Sequence, residues 1–249
     1  MSPAYIRIMY SLLNQAFDKA LKWKLIKHNP VLDSSPPVVK NNKKKSLWTL
    51  QEKKNFIDLV KKKGIEAPYI TTIFTGMRRG EVLGLKWSDI DFNGGTIHVQ
   101  RSLTRTRKNG IILKEVKTES SNRIIAISDF LVNILREHQN NQAINRKKFG
   151  KLYSVNDFVF CTLDGKSIEP RNLLRQFQHQ IEEAKISKIT FHDLRHLHAT
   201  TFMALGENPK IVADRLGHSR VQVTLDFYSH VSPDLQRKIA EKFEKALFR

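Results

Sequence analysis

The sequence predicts an α+β fold that is mainly helical and carries one small three-stranded antiparallel sheet. Two observations predict it. Apolar residues recur at helical spacing through most of the 249 residues. Between them, two turn signals, Asn93-Gly94-Gly95 and Lys108-Asn109-Gly110, flank β-rich runs at 96–99, 111–116 and 123–127.

Residues 4–27 place Ile6, Met9, Leu12, Leu13, Ala16, Phe17 and Leu21 on one helical face, and His28-Asn29-Pro30 ends that helix. The face needs a partner, either the main domain, another chain or a preceding segment. The stretch that follows, Asp33 to Lys45, has the prolines (Pro36, Pro37), polar residues and lysines of an extended linker. A lysine run in a linker is ordinarily solvated, but between a lone helix and a basic domain Lys43, Lys44 and Lys45 are expected to touch phosphates. The expected division is thus a helical segment over 1–32, a basic linker over 33–47 and the main domain over 48–249.

In the main domain, Thr49 and Glu52 have capping-box spacing and Gly64 closes the first helix. A second helix, about 67–74, leads to TGMRRGEVLGLKWSDID, where Gly76 permits a sharp turn and Arg78 stands near the start of the next helix. Glu81, three residues on, either orients the Arg78 guanidinium or forms an ordinary exposed ion pair worth well under about 1 kcal/mol. Lys117 falls at the end of the second strand, in VKTESSNR, and composition does not separate it from Lys114. An amphipathic helix over 128–149 follows, then a buried strand at Phe158-Val159-Phe160-Cys161, then a helix from Pro170 to about 185. On the last, Arg171 and Arg175 lie one turn apart and read equally as a phosphate-binding pair or a solvated face.

Lys and Arg number 43 against 24 acidic residues, a formal net charge of +19. Such an excess points to a polyanion. Hydrophobic residues at 40%, with 14 Phe, argue for a folded protein rather than a basic tail, and favour nucleic acid over a membrane surface. Apolar runs are too short to span a bilayer and no signal peptide is visible, so a cytoplasmic setting is expected. The single cysteine, Cys161, excludes an internal disulfide and fits a reducing compartment.

Chemistry concentrates in TFHDLRHLHATTFMALGENPKIVADRLGHSRVQVTLDFYSH, residues 190–230. A phosphodiester under attack spreads negative charge over its non-bridging oxygens, and a planar guanidinium answers it with two parallel hydrogen bonds. His192 and Arg195, three apart, share a helical face, so Arg195 can hold the charge while His192 accepts or relays a proton near neutral pH. Tyr228 sits near an element end, and neighbouring cations favour its phenolate. Singly, these residues have plain readings: Tyr228 as a half-buried packing residue, His218 as a helix cap after Gly217. His192 and His196 are spaced for zinc, but no Glu follows His192 and no third ligand is placed for it.

Taken together, TGMRRGE, VKT, HDLRH, LGHS and the tyrosine of TLDFYSH, in that order, resemble the catalytic domain of the tyrosine recombinases, in particular phage and conjugative-transposon integrases. The resemblance covers roughly residues 46–249. It implies that Arg78, His192 and Arg195 activate the scissile phosphate, that His218 hydrogen-bonds it, that Lys117 protonates the leaving 5′ oxygen and that Tyr228 is the nucleophile. It further implies site-specific strand cleavage and rejoining on double-stranded DNA, integrating or excising a mobile element of a bacterium or phage, by a homotetramer on DNA that is a monomer without it. No metal or nucleotide cofactor is required by that chemistry. The stripe Leu235, Ile239, Phe243 and Leu247 resembles the segment that packs on a neighbouring subunit, and fits packing on its own domain equally well. Only the final helix of a core-binding domain is matched, by residues 4–27, so the chain reads as a fragment or truncated relative with weak, salt-sensitive DNA binding. Two other readings share these residues: a DNA-binding module that does not recombine alone, and a type IB topoisomerase.

Overall fold

The computed structural model describes residues 1–38, 47–116 and 119–226, together with Glu241 and Glu244. Lys43, Lys44, Lys45, Lys117, Tyr228 and the stripe at 235–247 lie outside the described residues. The chain divides into two compact units, Met1–Ser46 and Leu47–Arg249. Among the described residues no helix is long and apolar enough to cross a membrane.

The first unit is a helix and a tight turn. Helix α1 (Pro3–Lys22) is shorter than the periodicity implied, because Lys24 takes a left-handed conformation at φ 58° and the chain turns there. A helical spacing pattern persists past a stop set by one backbone angle, so it overran the end. The single-turn helix Pro30–Asp33 folds back on α1 through Asn29, which is buried. Its Nδ2 donates to Asn14 Oδ1 at 2.9 Å and Asp18 Oδ1 at 2.7 Å, while its Oδ1 accepts from the Val31 amide. On α1, Ile6, Met9, Leu12, Leu13 and Leu21 are all exposed.

The second unit is mostly helical with small antiparallel sheets. Helices α2 (Leu50–Lys62), α3 (Ala67–Thr75) and α4 (Arg79–Leu83) lead into strands β1 (Ile90–Asp91), β2 (Thr96–Val99), β3 (Arg101–Thr106), β4 (Gly110–Glu115) and β5 (Arg123–Ala126). Helices α5 (Asp129–Phe149), α6 (Pro170–Glu183), α7 (Phe191–Ala204), α8 (Pro209–Leu216) and α9 (Val221–Asp226) follow. The capping box at Thr49 forms: its amide donates to Glu52 Oε2 at 2.8 Å, and the Glu52 amide to Thr49 Oγ1 at 3.2 Å.

The strand pairing differs from the single sheet expected. A three-stranded antiparallel sheet does form, in the order β1-β2-β5, but the 111–116 run is not in it. That run belongs to β4 and pairs with β3 as a separate hairpin, Thr106 opposite Gly110. Each turn signal joins the strands on its two sides: Asn93-Gly94-Gly95 connects β1 to β2, and the turn before Gly110 connects β3 to β4. Strand β3, RSLTRT, escaped detection because Leu103 is its one apolar residue. The buried strand expected at 158–161 is also corrected: Val159 and Phe160 are buried, but only single bridges form, Lys86 with Phe158 and Cys161 with Ser167.

Two apolar clusters hold the unit together. One packs α3, α5 and the three-stranded sheet around Ile70, Ile97, Ile125 and Leu135. The other is aromatic, with Trp48, Phe56, Tyr69, Phe177 and Phe191 in a chain of tilted and edge-to-face contacts at 4.8–6.4 Å. Burying rings of this size contributes roughly 2–3 kcal/mol each. This second cluster ties α2, α3 and α6 to Phe191, the first residue of α7. Helix α7 packs against α3, in which Thr71, Thr72 and Thr75 are buried.

Candidate active site

The site is built where three helix ends meet. Helix α3 ends at Gly76, left-handed at φ 67°; a Cβ there would come within 2.5 Å of Leu216 Cδ2 and 2.8 Å of His198 Cδ2, so the turn needs glycine for both angle and space. Two residues on, Arg78 caps α4. Glu81 Oε2 accepts the Arg78 amide at 2.8 Å, Glu81 Oε1 accepts Arg78 Nη1 at 2.8 Å, and Arg78 Nη2 donates to the Gly217 carbonyl at 2.9 Å. The Glu81 side chain is only 3% exposed, so this is not the exposed ion pair that spacing also allowed.

Arg123, which sequence reasoning passed over, is the other cation on Glu81. It opens β5 and is itself buried, with Nη2 donating to Glu81 Oε2 at 2.9 Å and Nε to the Arg215 carbonyl at 2.8 Å. Burial raises the Glu81 carboxyl, but the hydrogen bonds and charge of Arg123, with the bonds from Arg78, outweigh it and hold the group below its ordinary value.

Helix α7 carries the next pair. Thr190 caps it, its amide and hydroxyl both donating to Asp193 Oδ2 at 2.7 Å. Phe191 anchors the first turn in the aromatic cluster. His192 is exposed on that turn, its ring edge-to-face with His196 at 4.7 Å. Arg195 is buried, and its Nη1 donates to the Gly76 carbonyl at 2.8 Å. Its Nη2 is also buried and has no hydrogen-bond partner among the described residues. Burial, then the charges of Arg78 and Arg123 with Glu81 opposing, push the Arg195 guanidinium down to about 9, still ionised at neutral pH. A charge kept against such a penalty is stabilised by an arriving anion.

Helix α8 closes the site. It ends at Gly217, left-handed at φ 70°, where a Cβ would sit 2.6 Å from the Ser120 carbonyl oxygen. The turn delivers His218, whose Nδ1 is 2.8 Å from the hydroxyl of buried Thr224. Burial, then Arg195, Arg78, Arg123 and His196, push the His218 imidazole down to about 4, so the ring is neutral at pH 7. In the tautomer whose Nδ1 accepts from the Thr224 hydroxyl, the ring proton sits on Nε2 as a hydrogen-bond donor.

Arg215 completes the frame, and it too was missed. It donates from Nη1 to the Ala126 carbonyl, from Nη2 to the Phe74 carbonyl and from Nε to His198 Nε2 at 3.2 Å. Arg123 had a faint signal: β5 alternates, so Arg123 shares the inward face with Ile125 while Ile124 points out. Arg215 had none, since a cation in the last turn of a helix is ordinarily solvated.

Arg78, Arg195 and His218, read from motifs far apart in the chain, are thereby brought to one place, with the buried Glu81 carboxylate holding Arg78. His192 stands on the turn that carries Arg195. Arg171 and Arg175 are exposed on α6, where Arg175 bonds Asn172 Oδ1. Lys117 and Tyr228 are outside the described residues. Among the described residues no group of three His, Cys, Asp or Glu side chains is placed to hold a metal. The arrangement can hold a compact oxyanion between guanidinium groups and offer it a neutral imidazole N–H.

Comparison with known proteins gives the chain relatives in sequence and in fold. A "tyrosine recombinase XerC-like" protein of Caldanaerobacter subterraneus is 34% identical over 203 residues, covering 77% of this chain and 52% of its own length. The ICEBs1 integrase of Bacillus subtilis is 29% identical over 237 residues, covering 94% of this chain and 64% of its own. The chain thus spans about half to two thirds of the length of these relatives. Among solved structures, a Tn1549 transposon integrase in complex with a circular intermediate DNA superposes with a TM-score of 0.82 at 23% identity, covering 98% of this chain and 80% of that one. A lambda integrase dimer bound to a core site gives 0.60 at 18% identity, covering 90% of this chain and 59% of that one. These likenesses establish the fold, and with residues 58–234 matching the phage integrase family, the chain belongs to that family.

Proposed function

We propose that this chain is the strand-cleaving part of a site-specific DNA recombinase that integrates or excises a mobile element. The observation that carries the proposal is the buried Arg195, with one nitrogen unpartnered among the described residues, held beside Arg78 and a neutral His218. In this reading the oxyanion is the scissile phosphate of double-stranded DNA. Arg78 and Arg195 hold its non-bridging oxygens, and His218 donates one hydrogen bond to it. The Tyr228 oxygen attacks phosphorus, the bond to the 5′ oxygen breaks, and Lys117 gives that oxygen a proton while His192 takes or relays the phenolic one. A 3′-phosphotyrosyl bond keeps the phosphodiester energy, and a second 5′ hydroxyl reverses the step to join new ends. Residues 48–249 serve as the catalytic domain, residues 1–32 as the end of a core-binding domain, and the intervening lysines, with Arg171 and Arg175, as backbone contacts. Four copies act together on two sites. Catalysis rests on fixed cations rather than on a metal.

A suicide substrate tests this. The protein is incubated in EDTA with nicked duplex DNA carrying a candidate core site, and a covalent protein–DNA band is sought on a denaturing gel beside Tyr228→Phe. A band in the wild type that the variant loses is expected. Binding without any band on every candidate site would leave a DNA-binding module in place of an enzyme.

A further inference from the structure

We infer that Arg123 is a positioning residue of this site, fixing Arg78 through Glu81 and the Gly217–His218 turn through the Arg215 carbonyl, so that the two arms meet in one geometry. What the site does rests on the strand-cleavage reading above. How it is held does not.

Each nitrogen of the Arg123 guanidinium has a partner. Nε donates to the Arg215 carbonyl at 2.8 Å, Nη2 to Glu81 Oε2 at 2.9 Å, and Nη1 is shared between Glu81 Oε1 at 3.3 Å and the Ser121 carbonyl at 3.2 Å. Three separate segments therefore meet on one planar group: the first turn of α4, the turn at 119–121 and the last turn of α8. The side chain is 7% exposed, so it acts through its neighbours and not on a ligand directly.

The geometry at Glu81 shows how. A lone carboxylate beside a lone arginine closes into a two-bond fork. Here Arg123 occupies both Glu81 oxygens from the other side, so Arg78 gives only Nη1 to Glu81 and directs Nη2 to the Gly217 carbonyl. On the second arm, a Cβ at Gly217 would lie 3.0 Å from Arg123 Nη1, so the guanidinium is packed against the turn that delivers His218. Lysine retains the charge at this position but not the fork, and cannot reach three segments at once.

The test uses the whole chain and inorganic phosphate as the probe, followed by NMR of the Arg78 and Arg123 Nε–H groups and the His218 ring. Arg123→Lys is expected to weaken phosphate binding about tenfold or more, as loss of a supporting partner commonly does, and to shift the Arg78 and His218 signals before phosphate is added. On cleavable DNA it slows covalent-complex formation by a similar factor at saturating DNA, with the half-saturating concentration unchanged. Wild-type phosphate affinity with unmoved signals in Arg123→Lys would overturn the inference and leave Arg123 a purely structural ion pair. A second measurement needs no variant to fold: in the wild type, bound phosphate is expected to slow hydrogen exchange at Arg123 Nε–H, which does not touch it. Unchanged exchange would overturn the inference too. A wild type that shows this response yet forms no Tyr228 adduct supports the positioning role while removing the cleavage reading.

Discussion

Stability between pH 7.5 and 4 should carry the mark of one histidine. His198 is 3% exposed, its Nδ1 lies 2.8 Å from the Ile73 carbonyl, and Arg215 Nε donates to its Nε2. The ring is thus neutral with its proton on Nδ1, and a second proton would point an N–H at a guanidinium. Burial, with the Ile73 bond opposing, and then the charges of Arg215, Arg195 and Arg123 push it from 6.5 down to about 4. Over that interval the unfolded chain binds a proton that the folded chain refuses, so stability is intact above about pH 6.5 and is lost as pH falls toward 4. From the two values the loss is about 1 kcal/mol between pH 7.5 and 5.5, and about 3 kcal/mol by pH 4. The figure at pH 5.5 depends almost wholly on the unfolded value, because the folded ring is still neutral there. Urea denaturation at pH 7.5, 6.5 and 5.5 measures it, with His198→Gln as the reference that retains one donor and one acceptor. His138 and His218, pushed the same way, remain in both proteins, so the difference in slope isolates His198. Parallel stability–pH curves for the two proteins would refute the reasoning.

Three further outcomes are expected. Glu81→Ala leaves Arg123 as a buried charge without its carboxylate, and should cost about 3–5 kcal/mol in chemical denaturation; a loss under about 1 kcal/mol would return Glu81 to the status of an exposed pair. Gly217→Ala meets both the left-handed angle and the Ser120 carbonyl, so a destabilisation of about 1–3 kcal/mol should accompany a loss of covalent-complex yield, read by melting and by gel. Lys117→Ala should fail on an ordinary phosphodiester and recover on a substrate with 5′ bridging sulfur, which leaves without a proton; equal defects on both would remove Lys117 from the acid role.

Much of this was legible in residue types and turns. The cap at Thr49, the helix end at Gly64 and the turn at Gly76 could be read because a cap or a left-handed glycine is a local event, written in one or two residues. The spacing of His192 and Arg195 likewise follows from one helical turn. What could not be read is set by partners distant in sequence. Arg123 looks like any cation beginning a strand until Glu81 and the Arg215 carbonyl, 42 and 92 residues away, are placed around it. Strand β3 has one buried apolar residue, too few to show a period, and it exists because the turn before Gly110 aligns it with β4. The end of α1 depends on a lysine adopting an angle that nothing in its neighbours announces.

The two arginines of the candidate site are each moored to a helix-ending glycine far away in the chain. Arg78 bonds the Gly217 carbonyl, 139 residues on, and Arg195 bonds the Gly76 carbonyl, 119 residues back. Carbonyl oxygens orient a guanidinium without cancelling its charge, so these two bonds fix the arginines without adding a counter-charge to the one Glu81 gives Arg78. These long-range bonds also make the arrangement indivisible. A nascent chain lacks the Gly217 mooring of Arg78 until that glycine has left the ribosome, and a chain cut between Arg78 and Arg195 loses both moorings if its halves separate. On the function proposed above, a product of synthesis or proteolysis that lacks one of these partner segments has no ordered arginine pair with which to cleave a strand.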